Sequence, residues 1–207
     1  MQCGQYNAKP MLQKLKKKQF CATMSKTRWR CSMKVIQCSP TMAKEVGKFY
    51  DEVTLYLTNH TNFPKWRYRS YPSEQSALQA SQSGTQFACV ENGRIIGAFV
   101  LNTDPQGNYD AVKWGKEVEQ GNYLVIHSFA THPTLYRKGV GSVMLDFCLQ
   151  QAQQYKMQAV RLDVVPTNYP ARNFYLKHGF TFVGEADLNR NFDDIPTFCL
   201  YELNLDR

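Results

Sequence analysis

The chain has 207 residues, 43% of them hydrophobic and 20% charged, and a formal net charge of +8, a length that accommodates one ordinary domain plus an appendage. Its seven cysteines are dispersed, with no C-x-x-C pair and no Cys/His cluster at zinc-ligand spacing, which argues against a metal site and for a reducing, cytoplasmic setting. No apolar run approaches the ~20 residues of a membrane-spanning helix and the first residues lack the apolar stretch of a secretory signal, so no membrane partner is expected.

Where the charge lies matters more than its total. Residues 1–32 carry eight basic side chains (Lys9, Lys14, Lys16, Lys17, Lys18, Lys26, Arg28 and Arg30) and no acidic one, which leaves residues 33–207 with 17 basic and 17 acidic groups. The excess that would suggest a nucleic-acid partner is confined to this segment. Its scattered Leu12, Leu15, Phe20 and Trp29 are too few to offset the entropy of ordering it, so a disordered extension is expected. The folded domain is expected over residues 33–207, and Met33, where patterned sequence begins, is a candidate native start.

Residues 33–38 read as a short strand. Ser39 and Pro40 then supply an N-cap and a first-turn proline, and Met42, Val46, Phe49, Tyr50, Val53 and Leu57 recur at steps of three and four, the stripe of an amphipathic helix. Residues 62–71 hold Phe63, Trp66, Tyr68 and Tyr71 between two prolines and lead into a weaker helix over 73–82. Residues 86–90 and 94–101 flank Glu91-Asn92-Gly93, a hairpin signal. The polar stretch 103–121 is expected on the surface, followed by a strand over 122–131.

Val140, Val143, Met144, Phe147, Cys148, Ala152 and Tyr155 mark another helix, with Cys148 read as a small core side chain. Residues 159–165 are a buried strand, and a helix starts near Tyr169 with Pro170 in its first turn and stops at Gly179. Strands over 180–184 and 197–205 close the chain around a polar loop, 185–195. The order is strand, two helices, three strands, helix, strand, helix, two strands. It describes an α/β (α+β) fold with a mixed central sheet of six to seven strands and about four helices.

Between strand 122–131 and the following helix stands Tyr136-Arg137-Lys138-Gly139-Val140-Gly141-Ser142. Unpaired N–H groups in a first helical turn and the positive end of the helix dipole make an anion site. Glycines 139 and 141 remove Cβ atoms that would hold a phosphate off the backbone, and Arg137 and Lys138 add charge. The dinucleotide fingerprint fails, because Met144 stands where its third glycine belongs, and no Walker pattern exists. Taken alone, the segment is equally a turn with a solvated basic corner.

One strand later comes Asn168-Tyr169-Pro170-Ala171-Arg172-Asn173-Phe174-Tyr175-Leu176-Lys177-His178-Gly179-Phe180. Together the two segments resemble the GNAT superfamily of N-acetyltransferases, which carries R/Q-x-x-G-x-G/A at a helix start and N-x-x-A-x-x-x-Y-x-K-x-G-F after the next strand. Asn168, Ala171, Tyr175, Lys177, Gly179 and Phe180 match, and the element order agrees over residues 33–205. Tyr136 departs from the family's Arg or Gln three residues before the first glycine.

The resemblance implies acetyl-CoA as acetyl donor, no metal, and direct transfer to a primary amine of a small molecule or peptide. It implies cofactor contacts at Phe129, Ala130 and Thr131 through the backbone, at Arg137, Lys138, Gly139, Val140, Gly141 and Ser142, and at Asn168, which equally reads as a helix cap. Tyr175 matches the tyrosine that protonates the departing thiolate; in an unknown helix it would read as a half-buried core tyrosine.

For the general base, His127 and Asp163 are both candidates, and each can equally be structural. Phe63, Trp66, Tyr68 and Tyr71 are candidates for an acceptor pocket or for covering a core edge, and Asp193 and Asp194 for attracting a cationic amine. An acyl-CoA-binding sensor of the same fold is the alternative function. Oligomeric state is left open, with a homodimer allowed.

Overall fold

The computed structural model describes residues 32–205, so the basic extension lies outside the described residues apart from Ser32. In chain order the elements are β1 (Lys34–Gln37), α1 (Ala43–Thr58), α2 (Glu74–Gln82), β2 (Gln86–Glu91), β3 (Arg94–Asn102), β4 (Tyr123–Thr131), α3 (Val140–Gln154), β5 (Ala159–Val164), α4 (Tyr169–Lys177), β6 (Thr181–Ala186) and β7 (Phe198–Asn204), with short 3-10 turns between some of them. Strands and helices follow the order expected from the sequence. The seven strands form one sheet, β1-β2-β3-β4-β5-β7-β6, in which β4 and β5 are the parallel pair and the other pairs are antiparallel.

Local chemistry sets the element ends. Ser73 caps α2 through a reciprocal capping box with Ser76, which satisfies donors that the first turn leaves unpaired. Asn92 and Gly93, both at positive φ, turn the β2–β3 hairpin, as a tight two-residue connection requires. Gly179 at φ 88° stops α4, and β6 runs two residues further into the expected polar loop, pairing Glu185 with Cys199 and Ala186 with Phe198.

Each face of the sheet buries a different set of side chains. On one face α3 and α4 cover Phe87, Phe99, Leu124, Ile126, Val160, Leu162 and Tyr201, with Met144 and Cys148 fully buried. A Cβ at Gly97 would stand 2.3 Å from Met144 Sδ and 3.1 Å from Val140 Cγ1, so the missing side chain lets α3 lie directly on β3. On the other face Val46, Phe49, Tyr50, Val53 and Leu57 of α1 pack on Ala88, Ala98 and Ala130. Burying each large apolar side chain contributes on the order of 1.5–3 kcal/mol.

The remainder of that second face corrects one expectation. Residues 103–121, expected to lie on the surface, instead lay Tyr109 into the core at 3% exposure and pack Val112, Trp114 and Val118 over Tyr123, Val125, Ala159, Phe198 and Leu200. The segment is polar on average but carries enough aromatic and branched residues to cover a sheet face. Beneath it Arg161 and Glu202, cross-strand partners that are 3% and 2% exposed, form a buried ion pair at 2.9 Å. The Arg161 guanidinium lies between the Trp114 and Tyr123 rings, 4.1 and 4.3 Å from their centroids.

Candidate active site

The parallel strands at the centre of the sheet part company. β4 and β5 pair from Tyr123 opposite Ala159 to Ile126 opposite Leu162; beyond that β4 pairs with β3 and β5 with β7. On its β3 side, β4 shifts register: Ala98 faces Ala130 and Val100 faces His127, so Ser128 and Phe129 together oppose Phe99. This is a β-bulge, which bends the strand and re-aims its side chains. Ser128 stands at φ 48°, unusual for a residue with a side chain. A cavity of about 610 Å³ lies there, lined among others by His127, Ser128, Phe129, Asp163, Asn168 and Tyr175.

At the far end of β4 the chain passes through a 3-10 turn, Pro133–Leu135, into α3. Gly139 is the N-cap residue at φ 86°, where a side chain would be strained, and its carbonyl accepts the first helical bond, from Val143 N. The N–H groups of Gly139 to Ser142 have no acceptor among the described residues, and Arg137 and Lys138 are exposed beside them. A Cβ at Gly141 would come within 3.3 Å of the Phe174 ring and 3.8 Å of Thr131 Cγ2. That glycine thus brings the end of β4, the start of α3 and α4 into contact. Tyr136 turns its ring edge-on to Tyr56, centroids 6.4 Å apart.

From α4, Tyr175 enters the cavity from the α3/α4 face. Its ring is held edge-on by Phe129, Phe174 and Phe180, with centroids 5.3–6.0 Å apart, and its hydroxyl has no hydrogen-bond partner among the described residues. Burial, with lesser contributions from Cys148 and Asp163, pushes its pKa far above 10, so the phenol holds its proton. At the head of α4, Asn168 caps the helix by accepting from Ala171 N at 3.3 Å.

His127 comes to the same cavity from the opposite face of the sheet. Its Nε2 lies 2.9 Å from the Asp104 carbonyl and 3.2 Å from Asn102 Oδ1. A carbonyl only accepts, so Nε2 carries the hydrogen and Nδ1 keeps the lone pair. Burial is the main cause that lowers its pKa below the ordinary 6.5; the Asp163 carboxylate opposes the shift and Arg190 adds to it. The imidazole is therefore neutral near pH 7.

Asp163 is fully engaged. Arg190, from the loop between β6 and β7, meets it at two points, Nη1 to Oδ2 and Nη2 to Oδ1, both 2.7 Å, and Tyr109 donates to Oδ1 at 2.8 Å. Arg190 also donates to the carbonyls of Gln106 and Pro105. Of the four aromatics named as pocket candidates, Trp66 and Tyr71 line the cavity, whereas Phe63 and Tyr68 do not; Tyr68 turns outward, beneath Arg69. Asp193 and Asp194 line the rim, Asp194 paired with Arg67 at 3.4 Å.

Three participants were not singled out by the sequence. Arg190 lies in a polar loop with no local pattern, Ser128 in an ordinary strand, and Tyr50 inside a core stripe that its hydroxyl leaves to reach the Ser128 carbonyl at 3.1 Å. Among the described residues no group of three His, Cys, Asp or Glu side chains is placed to hold a metal ion, and no helix is long and apolar enough to cross a membrane.

Residues 52–180 match the model of the acetyltransferase (GNAT) family, and the chain belongs to that family, whose acetyl donor is acetyl-CoA. No curated protein matches it significantly. Solved structures with the same fold include Ard1 from Thermoplasma volcanium, 18% identical, covering 85% of this chain and 99% of its own with a TM-score of 0.61. Another is yncA from Salmonella typhimurium, solved with its cofactor acetyl-CoA, at 15% identity, coverages of 85% and 95%, and a TM-score of 0.60. The ribosomal-protein-S18-alanine N-acetyltransferase of Escherichia coli matches at 14% identity, coverages of 84% and 95%, and a TM-score of 0.59.

Proposed function

We propose that this acetyltransferase is an N-acetyltransferase that moves the acetyl group of acetyl-CoA directly onto a primary amine of a small molecule or peptide, within a ternary complex. The observation that carries this reading is the approach of Tyr175 and His127 from opposite faces of the sheet to one cavity, at the point where β4 and β5 separate.

The residues present fit the donor. The N–H groups of Gly139, Val140, Gly141 and Ser142 suit its pyrophosphate, with the side chains of Arg137 and Lys138 beside them. The edge of β4 at Phe129, Ala130 and Thr131, which has no strand partner toward β5, suits an extended amide-bearing arm, which pairs as an added strand would. Asn168 lines the same cavity. Acetyl-CoA supplies an acetyl group already activated as a thioester.

A protonated amine has no lone pair with which to attack, so a proton must first be removed. His127 is placed for this: it is neutral, its Nε2–H is anchored on the Asp104 carbonyl, and its Nδ1, the basic atom, has no hydrogen-bond partner among the described residues. Asp163 has both oxygens occupied, which favours a positioning role for it over proton abstraction. Tyr175 Oη carries the proton for the departing sulfur, and burial ensures that the proton is there when negative charge develops. No side chain needs to form a covalent bond; the described cysteines are buried thiols, with those of Cys38 and Cys89 pushed up to about 12, far from the thiolate form a nucleophile needs. Such thiols also suit a reducing, cytoplasmic setting.

The test is release of CoA thiol from acetyl-CoA with a panel of 2-phenylethylamine, spermidine and an alanine-initiated peptide, with mass-spectrometric detection of the N-acetyl product. Turnover that falls in Tyr175→Phe supports the reading. Acetyl-CoA binding without release on any amine would instead favour the non-catalytic sensor, in keeping with Tyr136, which offers no cation to phosphate.

A further inference from the structure

We propose that Tyr50 and Tyr71 are positioning residues of the acetyl-transfer site, clamping Ser128 in a left-handed conformation so that the bulge presents His127 and Phe129 to the cavity. The proposal rests on the N-acetyltransferase reading for its kinetic consequences, but not for its structural ones.

Ser128 is held from two independent elements. Tyr50, from α1, donates its hydroxyl to the Ser128 carbonyl at 3.1 Å, and Tyr71, from the loop before α2, meets Ser128 Oγ at 2.8 Å. The conformation needs such support. At φ 48° a serine is disfavoured by contact between Cβ and its own backbone, and a strand that adopted ordinary φ here would recover regular pairing with β3. Losing the bulge would slip every later residue of β4 by one position relative to β3, which reverses the faces its side chains occupy. Ser128 lies between His127 and Phe129 in the chain, and all three line the cavity.

Both clamps are themselves fixed. The Tyr50 ring is 1% exposed and packs edge-on to Trp66, centroids 6.5 Å apart, and burial drives its pKa well above 10, so its hydroxyl remains a donor. Tyr71 is pinned by backbone bonds in both directions with Arg67, at 3.0 and 3.1 Å. Tyr71 and Trp66 also line the cavity, so the loop that holds Ser128 is the loop that forms an acceptor wall. Occupation of that wall by an acceptor thus bears directly on the residue that sets the bulge.

The experiment compares wild type, Tyr50→Phe, Tyr50→Phe/Tyr71→Phe, Ser128→Gly, Tyr50→Phe/Ser128→Gly and Val53→Ala, a core change in α1 that leaves Ser128 untouched. CoA release is measured with acetyl-CoA and the amine of the panel turned over fastest, and crystal structures of wild type and Tyr50→Phe/Tyr71→Phe give φ at residue 128. In Tyr50→Phe, kcat is expected to fall about tenfold while KM for acetyl-CoA changes by less than about twofold, the loss of a roughly 1.4 kcal/mol contact. Glycine occupies positive φ without strain, so Ser128→Gly in the Tyr50→Phe background is expected to restore most of the lost kcat. Val53→Ala is expected to lower Tm and leave kcat unchanged.

A Tyr50→Phe/Tyr71→Phe protein that retains φ near 48° at Ser128 overturns the clamp whatever its activity, as does a kcat loss in Tyr50→Phe that glycine fails to rescue. An inactive wild type counts against the N-acetyltransferase reading alone, because the φ measurement still decides the clamp.

Discussion

Arg190 grips Asp163 with two parallel hydrogen bonds of 2.7 Å, joining the loop between β6 and β7 to the strand that ends at the cavity. The side chains are 17% and 9% exposed, so neither charge is well served by water if the other is removed. The pair does two things at once: it holds one wall of the cavity in place, and it places a compensated charge pair near His127.

Arg190→Met is therefore expected to cost about 3 kcal/mol in urea denaturation, the penalty of leaving a carboxylate poorly solvated and unpaired. Adding Asp163→Asn is expected to recover much of it, since no lone charge remains. Full stability in the single variant would mean that water solvates Asp163 freely.

The pH dependence of transfer follows from His127. Its folded pKa lies below the ordinary 6.5, chiefly through burial, so the neutral, proton-accepting form prevails at pH 7 and is lost only as pH falls below the ordinary value. kcat/KM is expected to show an acid limb below about 6.5, the unperturbed value, that vanishes in His127→Gln. Arg190 helps to depress this pKa and Asp163 to raise it, so Arg190→Met is expected to move the limb to higher pH. The same depression makes His127 a stability element above its unfolded pKa, a contribution that fades as pH falls toward the folded one.

Tyr175→Phe removes one oxygen that has no hydrogen-bond partner among the described residues, so folding is expected to be unaffected and Tm to move by no more than a degree or two. Turnover is expected to fall roughly 100-fold, the lower range for loss of a proton-transfer group, with KM for acetyl-CoA little changed. A variant with wild-type kcat would assign proton delivery elsewhere, and a large Tm drop would show the hydroxyl to be structural.

Donor binding separates backbone from side chain at the head of α3. Gly139→Ala places a Cβ at φ 86°, a strain on the order of 1 kcal/mol that tilts the N–H groups of the first turn. Titration calorimetry with CoA is expected to give about fivefold weaker affinity. Lys138→Gln, an exposed charge, is expected to weaken binding less, and to lose its effect as salt is raised. The opposite ranking would move the grip on phosphate to the side chains.

Periodicity and capping are local properties, and they carried the element order from Lys34 to Asn204 as well as the family likeness. The stripe from Met42 to Leu57, the Asn92-Gly93 turn and the paired segments at Gly139 and Asn168 are each written within one short stretch of chain, because helix faces, hairpins and helix starts are decided at that range. Residues 103–121 escaped this logic, since their mean polarity hid Tyr109, Val112, Trp114 and Val118, whose burial depends on a sheet face assembled from distant strands.

Whether Asp163 has a free oxygen depends on Arg190, 27 residues away and in a loop with no pattern of its own. Which nitrogen of His127 is basic depends on the Asp104 carbonyl, brought to it by the path of residues 103–121. Phe63 and Tyr68 differ from Trp66 and Tyr71 only in where the loop turns them. Local patterning was enough for the strands, the helix that opens with glycines and the tyrosine aligned with it; the bulge at Ser128, the partners of the two candidate bases and the wall of the cavity emerge only from long-range packing, because each rests on hydrogen bonds between groups that local chain geometry does not bring together.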